Sequence, residues 1–338
     1  NGHMFPVKPF DSEMIQLEQA KRHIKVIDDM SDPKNQVSGA IGWVMNDYQT
    51  HPSFGSVDGI CYHGVLDMNR MPKMASYSYL SQIDKPFVME VSSSMNIGEY
   101  PGGQLDEVYV FTNLDYVKLY KNDTFIKTFY PNKQRYPHLK HAPIVIDDLI
   151  GDMIKDQENM SSRDANSVKK IIQYVIKNGN KLKLKHKLKM AFLLKKYHMT
   201  FDEGVQLFFK YTSGWGDQRS IYRFEGYKDD VKVKEIIKTH DENFNLMVSS
   251  NRQKMNHKDT YDTIRFEVSL VDAYKQIKSY AFDPCVIETT GSIELIGPNI
   301  QTMVSGQLAF WIRSTSKGMG HIKIKVRDQI VEKEVTIS

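Results

Sequence analysis

The stretch GWVMNDYQTHPSFGSVDGICYHGVLDMNRMPK, residues 42–73, decides how the rest of the chain is interpreted. It overlaps the end of an apolar run, VSGAIGWVM at 37–45, which has no helical period and predicts a strand buried on both faces. A long polar loop with Gly-rich turns follows, and PKMASYSYLSQI at 72–83 predicts a helix that starts on Pro72. Buried strand, polar loop and helix is the order of elements in an α/β barrel.

Residues 11–30 extend this pattern upstream. Met14, Leu17, Ala20, Ile24 and Ile27 recur at spacings of three and four, which predicts one apolar face of a helix with Asp11 or Ser12 as its cap. A complete barrel needs about 250 residues, so residues 1–85 are expected to form only the carboxyl-terminal part of a TIM-barrel domain.

The pattern changes after residue 85. Segments such as EVYVFTNLDYVKLYKND alternate apolar and polar residues, which predicts an Ig-like β-sandwich over 86–240. A helical insertion is expected at about 147–212, between two strands of that sandwich. Short strands separated by Gly and Pro predict a second Ig-like sandwich at 241–338. The predicted fold class is α/β plus all-β: a partial (β/α)8-barrel end followed by two sandwiches.

Composition limits the classes of function. The 338 residues are 41% hydrophobic and 25% charged, as in an ordinary folded protein, and the net charge of +4 does not indicate a nucleic-acid partner. The basic run at 177–196 fits a helix with a solvated basic face, and no apolar run of 18 residues predicts a membrane span. Cys61 and Cys285 are expected to be buried free thiols. No signal segment is visible, so the compartment, cytoplasmic or secreted, is left open.

The loop after the predicted strand carries the candidate site. In an α/β barrel, residues at the carboxyl end of each strand face the active site. An indole face stacks on a sugar ring, and Asn, Asp and His bond to hydroxyls, which points to Trp43, Asn46, Asp47, Asp58 and His63. The alternative from the same residues is that Trp43 fills the barrel and Asp47 caps the next turn. No His or Cys spacing suits zinc, and no cofactor is predicted.

Two segments carry a family resemblance. SGAIGWVMNDYQTH at 38–51 and GICYHGVLDMNRMPKMA at 59–75 resemble the carboxyl end of the barrel of glycoside hydrolase family two, which includes β-galactosidases and β-glucuronidases. The motif Gly64-x-x-Asp67-x-x-Arg70-x-Pro72-Lys73 is specific to this region, and GHMFPVKPFD at 2–11 resembles the stretch after the seventh strand. The resemblance is close over about 1–85 and weaker toward the last sandwich.

The resemblance implies a retaining mechanism, in which two carboxylates about 5 Å apart act as nucleophile and acid/base. Both catalytic Glu residues of the family would precede Asn1, so no catalytic residue is assigned and the chain alone is expected to be inactive. In the intact enzyme a loop-bound cation is compatible with the family, but no residue here can be named for it.

Substrate-binding residues also follow from the resemblance. Trp43 matches the family's sugar-contacting Trp, Asp47 matches an acidic loop residue three to four positions later, and Asp58 matches a loop position that orients sugar. Asn46 is a candidate from its residue type alone. His3 resembles a His that contacts a sugar hydroxyl. His63 stands where glucuronidases have Lys and β-galactosidases have Asn. Because imidazole lacks a permanent charge for a uronate carboxylate, a glucuronidase is the less favoured parent.

A second hypothesis is a non-catalytic carbohydrate-binding or adhesion module, in which the sandwiches bind sugar. In either case the expected partner is a carbohydrate, a β-galactoside or related β-glycoside. An incomplete barrel leaves apolar faces and strand edges to be covered. Residues 1–85 are therefore expected to dock on the first sandwich or to pair with a second copy of the chain in a homo-oligomer.

Overall fold

The computed structural model describes residues 6–51, 58–95, 107–178, 182–212 and 220–338. The helices are α1 (Glu13–Met30), α2 (Ser76–Leu80), α3 (Met153–Gln157), α4 (Ser162–Asn178), α5 (Leu184–Lys196) and α6 (Phe201–Thr212). The first strands are β1 (Tyr48–Gln49), β2 (Ile60–Cys61), β3 (Met89–Val91), β4 (Val108–Thr112), β5 (Tyr116–Lys121), β6 (Thr124–Phe129), β7 (Ile144–Ile146), β8 (Tyr222–Lys228) and β9 (Val231–Lys238). The later strands are β10 (Asn245–Ser250), β11 (Lys254–Met255), β12 (Thr263–Val271), β13 (Pro284–Gly291), β14 (Ile293–Ile296), β15 (Ile300–Thr302), β16 (Gln307–Ser314), β17 (Gly318–Val326) and β18 (Gln329–Ile337).

The chain forms two units, each assembled from segments that are distant in the sequence. The first unit contains Asn1–Asp11, Ile41–Lys73 and Asp241–Ser338, and the second contains Ser12–Ala40 and Met74–His240. Together they give a fold of mixed helix and strand with several sheets, which agrees with the predicted mixture of α/β and all-β segments at this coarse level.

Two sheets of the first unit share one hydrophobic core. Their strand orders are β10-β12-β16-β14 and β11-β18-β17-β13-β15. Strand β12 alternates buried and partly exposed residues, so Ile264, Phe266 and Val268 point inward. Phe266 lies opposite Phe310 of β16, and their rings stack with centroids 5.3 Å apart. This alternation is the signal that predicted a sandwich in the sequence.

The second unit combines two smaller sheets with helices. The sheets are ordered β3-β4-β7 and β6-β5-β8-β9, and they contribute residues to a common core. Helices α3 to α6 come between β7 and β8 in the chain and add Ile154, Ile172 and Leu207 to that core. Helix α1 buries Ala20 and Ile24, and Asp28 near its end accepts hydrogen bonds from the backbone N–H groups of His138 and Leu139.

The structure corrects two predictions of local structure. Residues 37–45 form no strand, and the side chain of Ile41 is 99% exposed. An apolar run becomes a buried strand only when neighbouring strands pair with it along its length. In the described residues the pairing is confined to the end of the run, where the carbonyls of Val44 and Met45 accept the N–H groups of Val65 and Leu66. The predicted helix at 72–83 begins only at Ser76, because Pro72 bridges to Leu66 and the N–H of Lys73 donates to the carbonyl of Val65.

Two further sequence expectations can be compared with the described residues. Cys61 and Cys285 are buried free thiols, as expected. Among the described helices, none combines the length and apolar character that a membrane crossing would require.

Candidate functional site

A buried ion pair lies at the centre of the stretch that the sequence singled out. The ammonium of Lys73 is 2.8 Å from Oδ1 of Asp47, and the two side chains are 2% and 0% exposed. The same carboxylate oxygen accepts the backbone N–H of Gly64 at 2.8 Å. Asp47 is therefore held by a charge and a backbone donor from the motif that follows it, residues 64–73.

Burial shifts both pKa values of this pair. Loss of solvent raises the pKa of Asp47 to about 6, against the opposing attraction of Lys73 and the hydrogen bond from Gly64. Loss of solvent also lowers the pKa of Lys73, although the charge of Asp47 opposes that change. Both shifts have the same cause, because a low-dielectric interior disfavours each charged form. Among the described residues, Oδ2 of Asp47 has no hydrogen-bond partner.

The motif itself is a tight turn that only particular residues can form. A β-carbon on Gly64 would lie 2.2 Å from the backbone nitrogen of Asp47 and 2.5 Å from the carbonyl oxygen of Leu66. Oδ1 of Asp67 accepts the N–H groups of Asn69 at 2.8 Å and Met71 at 2.7 Å. The turn therefore uses Asp67 for its own backbone, and burial raises the pKa of this carboxyl as well.

The segment near the N-terminus is hydrogen-bonded to the same turn through both the N–H and the carbonyl of Val7. The N–H of Val7 donates to the carbonyl of Tyr62 at 3.0 Å, and the carbonyl of Val7 accepts from Nζ of Lys73 at 2.8 Å. Lys73 thus joins Val7 to Asp47, residues that are 40 positions apart in the sequence.

The last segment of the chain supports this arrangement within the first unit. The guanidinium of Arg265, on β12, donates to the carbonyl of Asn69 at 2.9 Å. The hydroxyl of Ser305 donates to the carbonyl of Pro9 at 2.8 Å. The sheets of residues 241–338 therefore fix both the motif and the N-terminal segment.

The predicted sugar-binding residues occupy different environments. Trp43 is 59% exposed, and its ring meets that of Tyr48 edge-on with centroids 6.3 Å apart. His63 is only 7% exposed, and its Nδ1 lies 2.7 Å from Sγ of Cys61. The side-chain amide of Asn46 donates to the carbonyl of Asp47 at 2.7 Å. His3 lies outside the described residues.

Asp58 forms a second, solvent-accessible acidic position. Its Oδ2 accepts the hydroxyl of Tyr62 at 2.5 Å, and its Oδ1 accepts the N–H of Ile60 at 3.1 Å. The hydrogen bond from Tyr62 is the main cause that lowers the pKa of Asp58, so this carboxylate is ionised at neutral pH. It can accept hydrogen bonds from hydroxyl groups of a ligand.

The structure therefore separates two kinds of predicted residue. Trp43 and Asp58 are open to a ligand, whereas Asp47 is enclosed and His63 nearly so. Sequence reasoning named Lys73 only as part of the motif and missed its pairing with Asp47. A lysine placed directly after Met71 and Pro72 in an apolar context was the available signal, because buried lysines need a partner. Among the described residues, no group of three or more His, Cys, Asp or Glu is placed to hold a metal ion.

Comparison with known proteins gives related sequences but no matching family model. The chain is 45% identical over 150 residues to a β-galactosidase of Thermoanaerobacterium thermosulfurigenes, an alignment that covers 44% of this chain and 21% of that protein. It is 29% identical over 341 residues to a β-galactosidase of Thermoanaerobacter pseudethanolicus, covering 100% of this chain and 38% of the relative. The chain thus spans well under half the length of these relatives.

A solved structure shares the fold. It is described as a β-glucuronidase from glycoside hydrolase family 2, with a TM-score of 0.56, 16% identity, and coverage of 96% of this chain and 27% of that chain. At this identity the similarity concerns the fold.

Proposed function

We propose that this chain, which is similar in sequence to β-galactosidases and in fold to a glycoside hydrolase family 2 enzyme, is the carboxyl-terminal portion of a retaining β-galactosidase of that family. The complete protein would hydrolyse terminal β-linked sugars. The identity of 45% over 150 residues to a β-galactosidase is the observation that carries this proposal.

The domain organisation is proposed on the same basis. Residues 1–85 would complete the end of a TIM barrel. Residues 86–240 and 241–338 would be Ig-like sandwiches, the first with a helical insertion at about 147–212. The antiparallel pairing on both sides of the shared core supports this interpretation for the last segment.

The exposed residues of the loop suit sugar binding. Trp43 would stack on the apolar face of a sugar ring, and Asp58 would accept hydrogen bonds from its hydroxyls. His63 and Asn46, with His3 from the N-terminal stretch, would complete the hydroxyl contacts of the bound sugar. The two catalytic Glu residues would be supplied by sequence that precedes Asn1 in the complete protein, so this chain by itself would not catalyse hydrolysis.

Chromogenic glycosides test the proposal. We expect the full-length parent to hydrolyse p-nitrophenyl β-galactoside in preference to the β-glucuronide, and this chain alone to hydrolyse neither. A parent that hydrolyses no β-glycoside but whose isolated carboxyl-terminal chain binds oligosaccharides would favour a carbohydrate-binding module instead. Activity in the chain alone would show that the carboxylates have been misplaced.

A further inference from the structure

The buried pair of Asp47 and Lys73 joins three backbone segments at one point. Asp47 accepts the N–H of Gly64, Lys73 donates to the carbonyl of Val7, and the two side chains bond to each other, each at 2.8 Å. Displacement of Asp47 would remove the acceptor of the Gly64 N–H and a partner of Lys73, and displacement of Lys73 would remove the donor to the Val7 carbonyl and a partner of Asp47.

A direct contact between Asp47 and a sugar would need an accessible carboxylate. Asp47 is fully buried, and Oδ1 already has two donors. Its other oxygen is enclosed as well, without exposed surface. Trp43, only four residues earlier, is more than half exposed, so the same short stretch presents one residue to solvent and encloses the other.

Burying an ion pair in the protein interior costs free energy, because each charged group loses its hydration. Hydrophobic residues of similar volume would fill such a site at lower cost, whereas they could not bond to the Gly64 N–H and the Val7 carbonyl. The hydrogen bonds to backbone are therefore what distinguishes this pair from apolar packing.

We propose that Asp47 is a positioning residue that acts through Lys73, and that together they hold the Val7 segment, the Trp43 loop and the His63–Gly64 turn in the arrangement that sugar hydrolysis requires. This inference rests on the proposed function, since it assigns Asp47 a role within that site. Under the family resemblance, the catalytic nucleophile would lie shortly before the segment that Lys73 holds. The pair would thus orient the nucleophile's segment relative to Trp43.

Hydrogen exchange of this chain tests the clamp without any substrate. We expect Asp47→Asn and Lys73→Met each to raise the exchange rates of the Gly64 and Val7 amides about tenfold or more. The double variant should exchange no faster than the faster single variant, because both changes break one unit. Lys169→Met, which breaks the ion pair with Asp148 in the second unit, serves as the matched control and should leave both amides unchanged.

Kinetics of the full-length protein test the positioning role. At a temperature where every variant is folded by circular dichroism, each single change should lower kcat by about 10- to 100-fold, the loss expected when reacting groups are displaced by about 1 Å. KM should change less than about threefold. The double variant should lose no more than the worse single variant.

The outcomes separate the two proposals. A raised KM with unchanged kcat in Asp47→Asn, but not in Lys73→Met, would overturn positioning in favour of direct sugar binding. Unchanged amide exchange or an unchanged kcat in folded variants would also overturn it. If the wild-type protein hydrolyses no glycoside while the exchange rates respond as expected, the proposed function fails and the catalytic role falls with it, although the clamp itself is confirmed.

Discussion

Gly64 and Asp47 approach so closely that a β-carbon on Gly64 would lie 2.2 Å from the backbone nitrogen of Asp47. Gly64→Ala must therefore move backbone, and we expect it to lower the free energy of unfolding by about 3 kcal/mol or more. Urea unfolding measures this loss. Gly39→Ala is the control, because a β-carbon there meets nothing within 4 Å. Equal stability of the two variants would contradict the crowded geometry.

The raised pKa of Asp47 predicts a dependence of stability on pH. Its folded value is about 6 against 3.8 for the unfolded chain, so the folded state binds more protons between these values. Stability should therefore fall as pH rises from about 4 to 6, by about 2 to 3 kcal/mol from this group. Urea unfolding at intervals across that range should give a smaller slope for Asp47→Asn than for the wild type. If the stability of the wild type and of Asp47→Asn changed equally with pH, the raised pKa of Asp47 would be contradicted.

Asp28 should stabilise the second unit through the backbone of residues 138 and 139. Its Oδ1 accepts their N–H groups at 2.9 and 3.2 Å, and the residue is buried. We expect Asp28→Ala to lower the free energy of unfolding by about 1 to 3 kcal/mol, since two buried donors lose their acceptor. Asp29→Ala removes an exposed partner of Lys25 and should cost less than about 1 kcal/mol. Chemical denaturation compares the two neighbouring changes directly.

Lys121 is a buried cation with few compensating partners. Burial lowers its pKa to about 8, and Nζ donates to the carbonyl of Tyr211 at 3.2 Å. The unfolded chain, at 10.5, binds more protons between pH 8 and 10.5, so stability should rise with pH across that window.

For the same reason we expect Lys121→Met to be more stable than the wild type at pH 7, by about 1 to 3 kcal/mol. The gain should shrink toward pH 10.5, where the wild-type amine is neutral. Thermal unfolding at pH 7 and pH 10 measures both points. Lys127→Met, on the exposed side of β6, should change stability by less than about 0.5 kcal/mol at either pH.

Trp43 should matter for activity more than for folding. In the full-length protein, Trp43→Ala is expected to lower kcat/KM about fivefold or more, because stacking on an aromatic ring is worth about 1 kcal/mol or more. The free energy of unfolding of the present chain should change by less than about 0.5 kcal/mol, since the side chain is mostly exposed. Ile41→Ala, at a nearby exposed position, should leave kcat/KM unchanged. A loss of stability without a loss of activity would argue against a sugar contact.

The spacing of apolar residues correctly predicted those helices and strands in which the apolar residues are also the buried ones. The spacing of Ala20 and Ile24 predicted the helix that the structure has at Glu13–Met30, and both residues are buried. The alternation in β12 likewise placed Phe266 in a sheet core. The prediction of a buried strand at 37–45 was wrong because it relied on apolar composition. Composition does not specify which neighbouring segments are present to bury a strand.

The pairing of Asp47 with Lys73 could not be predicted from the sequence. Asp47 and Lys73 are 26 positions apart, and neither periodicity nor spacing relates them. Sequence reasoning therefore assigned the carboxylate to a sugar, whereas the fold encloses it beside the ammonium. Trp43 lies within the run that was predicted to be a buried strand, whereas the structure leaves its side chain 59% exposed and outside any strand.

The composition of the first unit has a consequence for synthesis of the protein. It joins Ile41–Lys73 to Asp241–Ser338, and Arg265 and Ser305 supply contacts to Asn69 and Pro9. These supporting residues are synthesised long after the loop that carries Trp43. During translation the loop is therefore made before the residues that supply these contacts, at the stage when nascent chains are most exposed to aggregation and chaperones. A product terminated before residue 241 would lack the contacts from Arg265 and Ser305, so synthesis of residues 241–338 acts as a folding checkpoint for this loop.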